Sequence, residues 1–454
     1  MGAETPEAAS PEPTSPAPSS PNLPDPKRAI QQLFEKRPGE PLIASHTLFR
    51  TTSPAGSPSA PAAGVESRSP TGARSLSHRI RRLIGPLRTW TSHRQDAVVG
   101  LDLGSNSMKL IRVERRGSSA QAVGFAYDEY PPHAEGQTQE ECLRTWLQQQ
   151  RRQGLLDGQL VVGCANARVI MELVMMPKMP EADLGRAVIW EAKERLSAEP
   201  STYSIRHLII GETTVEAQTK YEVLILVAPR EELIGQWRNF SEQGFRMAAI
   251  EPGMLATIAA CESMGLWRPH EFIGLLDIGR RHSTLALIVQ GAARFLRSFP
   301  VAGDSITQSI MDYCQLDYET AEAQKREIGL SQMALEEDRR VVGLEDEPRV
   351  RVSHALGLYL ERLAAEVVHS LRYFTYELGY AKERTFDTLY LCGGGSRLKN
   401  LPAFLSSRIN ARVEVADALE RWPMTDTVKQ RLRTHELSST LLTSLGLALR
   451  PLAK

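Results

Sequence analysis

Two aspartates in this 454-residue chain, Asp102 and Asp277, stand in near-identical settings. Each closes a short apolar run, is followed by an x-Gly step ending at Gly104 or Gly279, and leads into a second apolar run, Met108–Val113 or Leu285–Val289. An apolar run this short, with glycine and small polar residues behind it, predicts a buried strand entering a tight hairpin. The glycine lets backbone N–H groups come close to an anion without a Cβ in the way. The aspartate at the strand's end can hold a hydrated divalent cation beside that anion. A pair of such hairpins predicts two related half-domains gripping one phosphate chain. At each position the aspartate can also simply cap its own turn.

A third motif, Thr388 to Leu401, carries an apolar strand into Gly393, Gly394 and Gly395, then Ser396 and an amphipathic helix from Leu401-Pro402. Backbone crowded by a flat ligand favours glycine, which suits an adenine or ribose; an ordinary strand-to-helix turn has the same composition. Between these motifs lie Gly303-Asp-Ser-Ile-Thr307 and the stretch Thr320–Gly329, where Glu322 and Lys325 are three apart and share a helix face. A carboxylate there can bind ribose hydroxyls and an ammonium can reach a nucleotide, although such pairs are commonly solvated ion pairs.

In order, these segments resemble the actin-like ATPase superfamily, and within it the PilM family of type IV pilus assembly, related to the division protein FtsA. The resemblance covers roughly Asp96 to Leu449. It implies ATP and Mg2+ as cofactors. Asp102 and Asp277 would position the metal; Gly104, Ser105, Asn106, Ser107, Lys109, Gly279, Ser283, Thr284, Gly303, Glu322, Lys325, Gly393, Gly394, Gly395 and Ser396 would surround the nucleotide. Lys109 either adds charge there or sits on the exposed face of its strand. Arg280 and Arg281 depart from the family pattern, and no residue identifies itself as the base that orients attacking water. Nucleotide-dependent conformation with weak or absent ATPase activity is therefore the expectation. The resemblance also implies a partner, the cytoplasmic N-terminal peptide of an inner-membrane PilN-like protein, and a cytoplasmic location at the inner face of that membrane. Two alternatives stay open: an FtsA-like membrane-associated filament and a small-molecule kinase of the same superfamily.

The elements that must position these residues read as α/β, an actin-like (ribonuclease H-like) duplicated fold. Residues 95–167 form a first half, 168–251 an inserted subdomain, 252–271 the return to the first half, 272–435 the second half and 436–454 a helix packing on the first. In the subdomain, strands are expected at Tyr203–Gly211, Thr214–Gln218 and Tyr221–Ala228. Leu184, Ala187, Val188, Trp190 and Leu196 form the inward stripe of a helix. The methionines 171, 175, 176 and 179 suit either a core or an adaptable groove. A helix over about Ser353–Leu378 carries Leu356, Leu360, Leu363, Val367, Leu371, Phe374 and Leu378 as a stripe, suited to coiled coil or burial. A strand at Ala411–Val415 and a helix at Ser438–Ala448 close the chain.

Residues 1–94 are rich in Pro, Ser and Ala, a composition that predicts disorder. Within them, residues 74–94 carry six arginines, no acidic residue and apolar partners at helical spacing, suited to weak contact with a membrane or an acidic partner, or to a solvated linker. The formal net charge of zero gives no basic field for nucleic acid. Five scattered cysteines without a C-x-x-C pair exclude a disulfide framework or a zinc knuckle, and no apolar run approaches a membrane span.

Overall fold

The computed structural model describes residues 97–116, 119–131, 138–164, 169–196, 199, 201–215, 218–330, 348–377, 385–417 and 419–449. The extension 1–94, its basic stretch 74–94 and the acidic stretch Glu336–Asp346 lie outside the described residues.

Apolar runs buried on both faces become central strands, and two of them organise the molecule. The first sheet contains β1 (Ala97–Leu103), β2 (Ser107–Arg116), β3 (Ser119–Glu129), β4 (Gln159–Cys164) and β8 (Arg246–Pro252) in the order β3-β2-β1-β4-β8. The second contains β9 (Ile273–Ile278), β10 (Ser283–Val289), β11 (Ala292–Phe299), β12 (Thr388–Cys392) and β13 (Val413–Val415) in the order β11-β10-β9-β12-β13. The two orders are the same topology used twice: an antiparallel meander, then parallel strands reached by crossovers. The last strand begins two residues later than its sequence span predicts.

Helix α1 (Gln139–Arg152) covers the outer face of the first sheet. It starts at a capping box in which Thr138 Oγ1 accepts from the Glu141 N–H and Glu141 accepts from the Thr138 N–H. A third, antiparallel sheet lies in sequence between β4 and β8. It is built from β5 (Ile170–Pro177), β6 (Tyr203–Val215) and β7 (Gln218–Pro229) in the order β5-β7-β6. The separate strand expected at Thr214–Gln218 is not formed: Thr214 and Val215 end β6 and Gln218 begins β7, with Val215 paired to Gln218. One face of this sheet takes α2 (Glu181–Leu196) through Leu184, Val188 and Ala192. These three are four residues apart, a single helix face. Trp190 is on another face and 62% exposed, so it is not part of the inward stripe; the Leu196 side chain lies outside the described residues. Met176 is in this core and Met175 is exposed, as strand alternation requires.

The other face of the third sheet, with Leu208, Ile210 and Leu224, joins a core shared with Ala286, Ile288 and Leu296 of the second sheet. Arg294 of β11 and Glu222 of β7 form a buried ion pair at the same junction. Helix α3 (Arg230–Glu242) instead packs Phe240 into the core under the first sheet. Helices α4 (Gly253–Ser263) and, at the end of the chain, α10 (Leu442–Leu449) fill the space between the first two sheets. At Gly446 a side chain would collide with the Ala256 carbonyl, so α4 and α10 touch backbone to backbone. The terminal helix starts four residues later than predicted; residues 438–441 form a turn in which the Thr440 and Leu441 N–H groups both donate to Leu437 O.

Helices α5 (Gly303–Cys314), α6 (Tyr318–Ile328), α7 (Pro348–Arg372) and α8 (Leu401–Ile409) cover the second sheet. The stripe Leu356, Leu360, Leu363, Val367, Leu371 and Phe374 is buried among them, so the heptad pattern marks a core helix rather than a coiled coil. Each such side chain stabilises by roughly 1.5–3 kcal/mol when fully buried. Helix α9 (Asp426–His435), capped by Thr425 Oγ1, follows the second sheet in sequence.

Candidate functional site

Both Asp-x-Gly segments fold as two-residue hairpins with matching geometry. The Gly104 N–H donates to Ser107 O at 2.9 Å, and the Gly279 N–H donates to His282 O at 3.1 Å. The closed turns fix the registers behind them: Asp102 lies opposite Lys109, and Asp277 opposite Thr284. Each aspartate is therefore the penultimate residue of its strand, beside its turn.

The two positions carry different chemistry. Lys109 is buried and its Nζ pairs with Asp102 Oδ2 at 2.7 Å; it is not on an exposed strand face. Thr284 is also buried, but its hydroxyl is shared with Ser298 Oγ at 2.9 Å and gives Asp277 no charge. Among the described residues Asp277 has no ion-pair partner. Burial, reinforced by the nearby Asp102 carboxylate and only partly offset by Lys109, pushes the Asp277 pKa up to about 6. Two carboxylates thus share one ammonium, a local deficit of positive charge. Among the described residues no cluster of three or more metal-ligating side chains exists. A divalent ion here would be held by two carboxylates with the rest of its shell from water and phosphate, as Mg2+ favours.

The glycine-rich turn faces the same place. Gly393 adopts φ +79°, and a Cβ there would collide with the Asp277 carboxylate, so only glycine fits. Its N–H donates to Ser439 O at 3.2 Å, which explains why residues 438–441 leave the helix. Gly394 borders open space, whereas Gly395 abuts Ile278. Not every expected residue reaches the cleft with its side chain. Ser283 Oγ donates to Val301 O at 2.6 Å, and Ser396 Oγ donates to Gly393 O at 2.7 Å, both buried. With Thr284, these hydroxyls are spent inside the fold.

Helix α5 starts on the second hairpin: the Gly303 N–H donates to Gly279 O at 3.0 Å and the Asp304 N–H to Arg280 O at 2.7 Å. Lys325 of α6 donates to Gly303 O at 3.2 Å and Thr307 Oγ1 at 2.7 Å, and it pairs with Glu322. Burial opposes ionisation of Glu322, but the Lys325 ammonium, helped by Thr307 and Arg326, outweighs it and holds the carboxyl at about 2. The expected Glu–Lys pair is a part-buried network rather than a solvated surface pair.

Two contacts that the sequence reading did not include join the halves. Arg326 of α6 reaches Glu129 of β3, with Nη2 3.1 Å from Oε2, and Glu129 also accepts from Tyr127 OH at 2.7 Å and Asn106 Nδ2 at 3.2 Å. Arg280 of the second hairpin donates to Asn106 Oδ1 of the first and pairs with Asp304, Nε to Oδ1 at 2.6 Å. No local pattern announces either contact, because each joins residues far apart in sequence.

A second concave feature, about 670 Å³, opens between the first and third sheets. Cys164, Ile234 and Trp237 line one wall; Leu226 and Arg206 line the other. Ile234 and Trp237 are 41% and 43% exposed, unusual for such large apolar side chains.

The family described as Type IV pilus assembly protein PilM matches residues 100–452. Among solved structures, the chain is similar to the PilM-PilN type IV pilus biogenesis complex at 23% identity and a TM-score of 0.61, over 78% of this chain and 98% of that one. It is also similar to the ethanolamine utilization protein EutJ from Carboxydothermus hydrogenoformans, at 14% identity and a TM-score of 0.41, over 82% of this chain and 94% of that one. MreB 5 of Spiroplasma citri bound to AMPPNP matches at 15% identity and a TM-score of 0.39, over 76% and 97%. No curated protein matches the chain. The likeness is one of fold, the duplicated actin-like fold implied by the paired hairpins.

Proposed function

The chain belongs to the family of type IV pilus assembly protein PilM, and from that premise we propose that it is an ATP-binding scaffold that docks a PilN-like peptide. ATP with Mg2+ sits between the two hairpins, and the cytoplasmic N-terminal peptide of an inner-membrane PilN-like protein lies in the apolar groove. The observation that carries the nucleotide reading is the pair of matched hairpins in which Lys109 pairs with Asp102 and Asp277 has no ion-pair partner among the described residues. A magnesium ion bound there supplies the missing positive charge beside the phosphates. Asp102 and Asp277 would hold it with its waters, and the turn N–H groups of Ser105 and Asn106 and those that follow Gly279 would cradle phosphate, while the Gly104 and Gly279 N–H groups close their turns. Glu322 and Lys325 take the ribose side, and Gly394 leaves room for the adenine. In this reading turnover is weak or absent and the nucleotide acts through conformation.

The proposed domain division explains how. Residues 95–167, 252–271 and 436–454 move as one half and 272–435 as the other. The inserted module, 168–251, shares the core of β10 and β11 and is tied to them by Arg294–Glu222. Helix α3, the far wall of the groove, is anchored under the first sheet by Phe240. A change in the angle between halves therefore changes the groove's width, and a ligand that favours one angle favours one groove. The apolar groove with exposed Ile234 and Trp237 suits an extended peptide with alternate apolar side chains. Such a partner brings the protein to the inner face of the inner membrane; no helix among the described residues is long and apolar enough to cross it.

Isothermal titration of the full chain with ATP and Mg2+, wild type against Asp277→Ala, tests the nucleotide reading. Binding that disappears in the folded variant supports it; binding that is absent in folded wild type or unaltered in the variant refutes it.

A further inference from the structure

Arg280 occupies, in the second hairpin, the position that Ser105 holds in the first. Nothing about a hairpin turn calls for an arginine, and its side chain is partly buried and tied on two sides. Its Nε is fixed to Asp304 at 2.6 Å, and its guanidinium lies over the Tyr318 ring, 5.5 Å from the centroid. Tyr318 OH in turn donates to the same Asp304 oxygen at 3.1 Å. A guanidinium held by a carboxylate on one edge and an aromatic face on one side has few rotamers left. Its Nη1 is thereby aimed across the cleft at Asn106 Oδ1 of the first hairpin.

The mismatch lies in that last contact. A guanidinium fork is matched to phosphate and carboxylate oxygens, where both partners carry charge and two parallel bonds can form. Here the cross-cleft acceptor is a neutral amide. Asn106 is itself engaged elsewhere, since its Nδ2 donates to Glu129 at 3.2 Å. An anion arriving between the two turns offers Arg280 a better acceptor than the one it has.

We infer that Arg280 reads the terminal phosphate of the nucleotide, exchanging its bond to Asn106 for one to the γ-phosphate and so favouring ATP over ADP. This rests on the nucleotide reading above and deepens it. The exchange is non-covalent: the guanidinium keeps its charge and its bond to Asp304, and Asn106 keeps its bond to Glu129. Release of Asn106 would also remove a direct tie between the hairpins. Arg281, its neighbour, is exposed and has no partner among the described residues, which makes it the control for general charge.

The test is titration calorimetry of the full-length protein with Mg-ATP and, separately, Mg-ADP, for wild type, Arg280→Ala, Arg280→Lys and Arg281→Ala. The expected result is a fall of about tenfold or more in ATP affinity for Arg280→Ala, the scale of one lost charge-assisted contact, with ADP affinity changed less than threefold. Arg280→Lys should retain part of the preference, because an ammonium keeps the charge and loses the fork. Equal losses for ATP and ADP, equal losses in Arg280→Ala and Arg281→Ala, or no loss overturn the inference while leaving the nucleotide site intact. Wild type that binds neither nucleotide overturns the underlying reading as well. The side chain is 31% exposed, so truncation should leave the fold intact; the Arg280→Lys variant keeps the comparison valid if it does not.

Discussion

The first and second hairpins are the same backbone device built with different side chains. In both, a glycine closes a two-residue turn and the aspartate two residues earlier faces a fixed position on the returning strand. In the first copy that position is Lys109, which neutralises Asp102; in the second it is Thr284, which hydrogen-bonds Ser298 and leaves Asp277 without a counter-charge. The turn residues diverge too, Ser105 and Asn106 against Arg280 and Arg281. A duplicated frame therefore divides its tasks. One copy supplies an aspartate whose charge is already balanced, and the other supplies an aspartate whose charge awaits a cation, together with an arginine suited to an anion.

The comparison can be broken most severely at Lys109. Lys109→Met leaves two facing carboxylates with no ammonium, and unfolding in urea should show a loss of about 3 kcal/mol, the scale of breaking a buried pair. A loss below about 1 kcal/mol would mean that the ammonium does not hold the two charges together. Asp277→Asn should act in the opposite direction, raising stability at pH 7 by up to about 3 kcal/mol while removing magnesium-dependent nucleotide binding. The sign follows from the raised pKa: with a folded value of about 6, the protonated carboxyl stabilises below about pH 4, and that contribution is lost as the pH rises through about 6. Wild type should show this slope between those limits and Asp277→Asn should lack it. For the same reason, magnesium affinity should fall as the pH drops below about 6, where the proton competes for Asp277.

Smaller effects sharpen the contrast. Thr284→Val removes one hydroxyl from the Thr284–Ser298 bond and should cost about 1 kcal/mol, far less than the loss at its counterpart, Lys109. Arg326→Ala breaks the tie to Glu129 at a side chain that is 55% exposed. It should cost well under 1 kcal/mol, and small-angle scattering should show any opening between the halves.

Much of this frame was legible in the sequence because its signals are contiguous. The strands at Ala97–Leu103, Gln159–Cys164 and Ile273–Ile278 are largely apolar runs, and the turns carry their own glycines. The Lys109–Asp102 pair was within reach, since a two-residue turn closing at Gly104 and Ser107 places residue 109 opposite 102 by counting alone. Trp190 was likewise misplaced against a helix face that Leu184, Val188 and Ala192 define. Other features had no local signal. Arg326–Glu129, Arg280–Asn106 and Arg294–Glu222 join distant segments, and the groove draws its walls from several strands and a helix. The inward turn of Ser283, Thr284 and Ser396 depends on carbonyl and hydroxyl partners that only the folded chain brings near.

The most direct test of a nucleotide held between two copies of one hairpin is hydrogen exchange of the full-length protein with and without Mg-ATP, read by mass spectrometry. The account predicts that peptides covering residues 104–107, 279–282 and 393–396 all slow their exchange together on binding, and that Asp277→Asn abolishes the slowing in all three. Protection confined to one hairpin, or to neither, would contradict it.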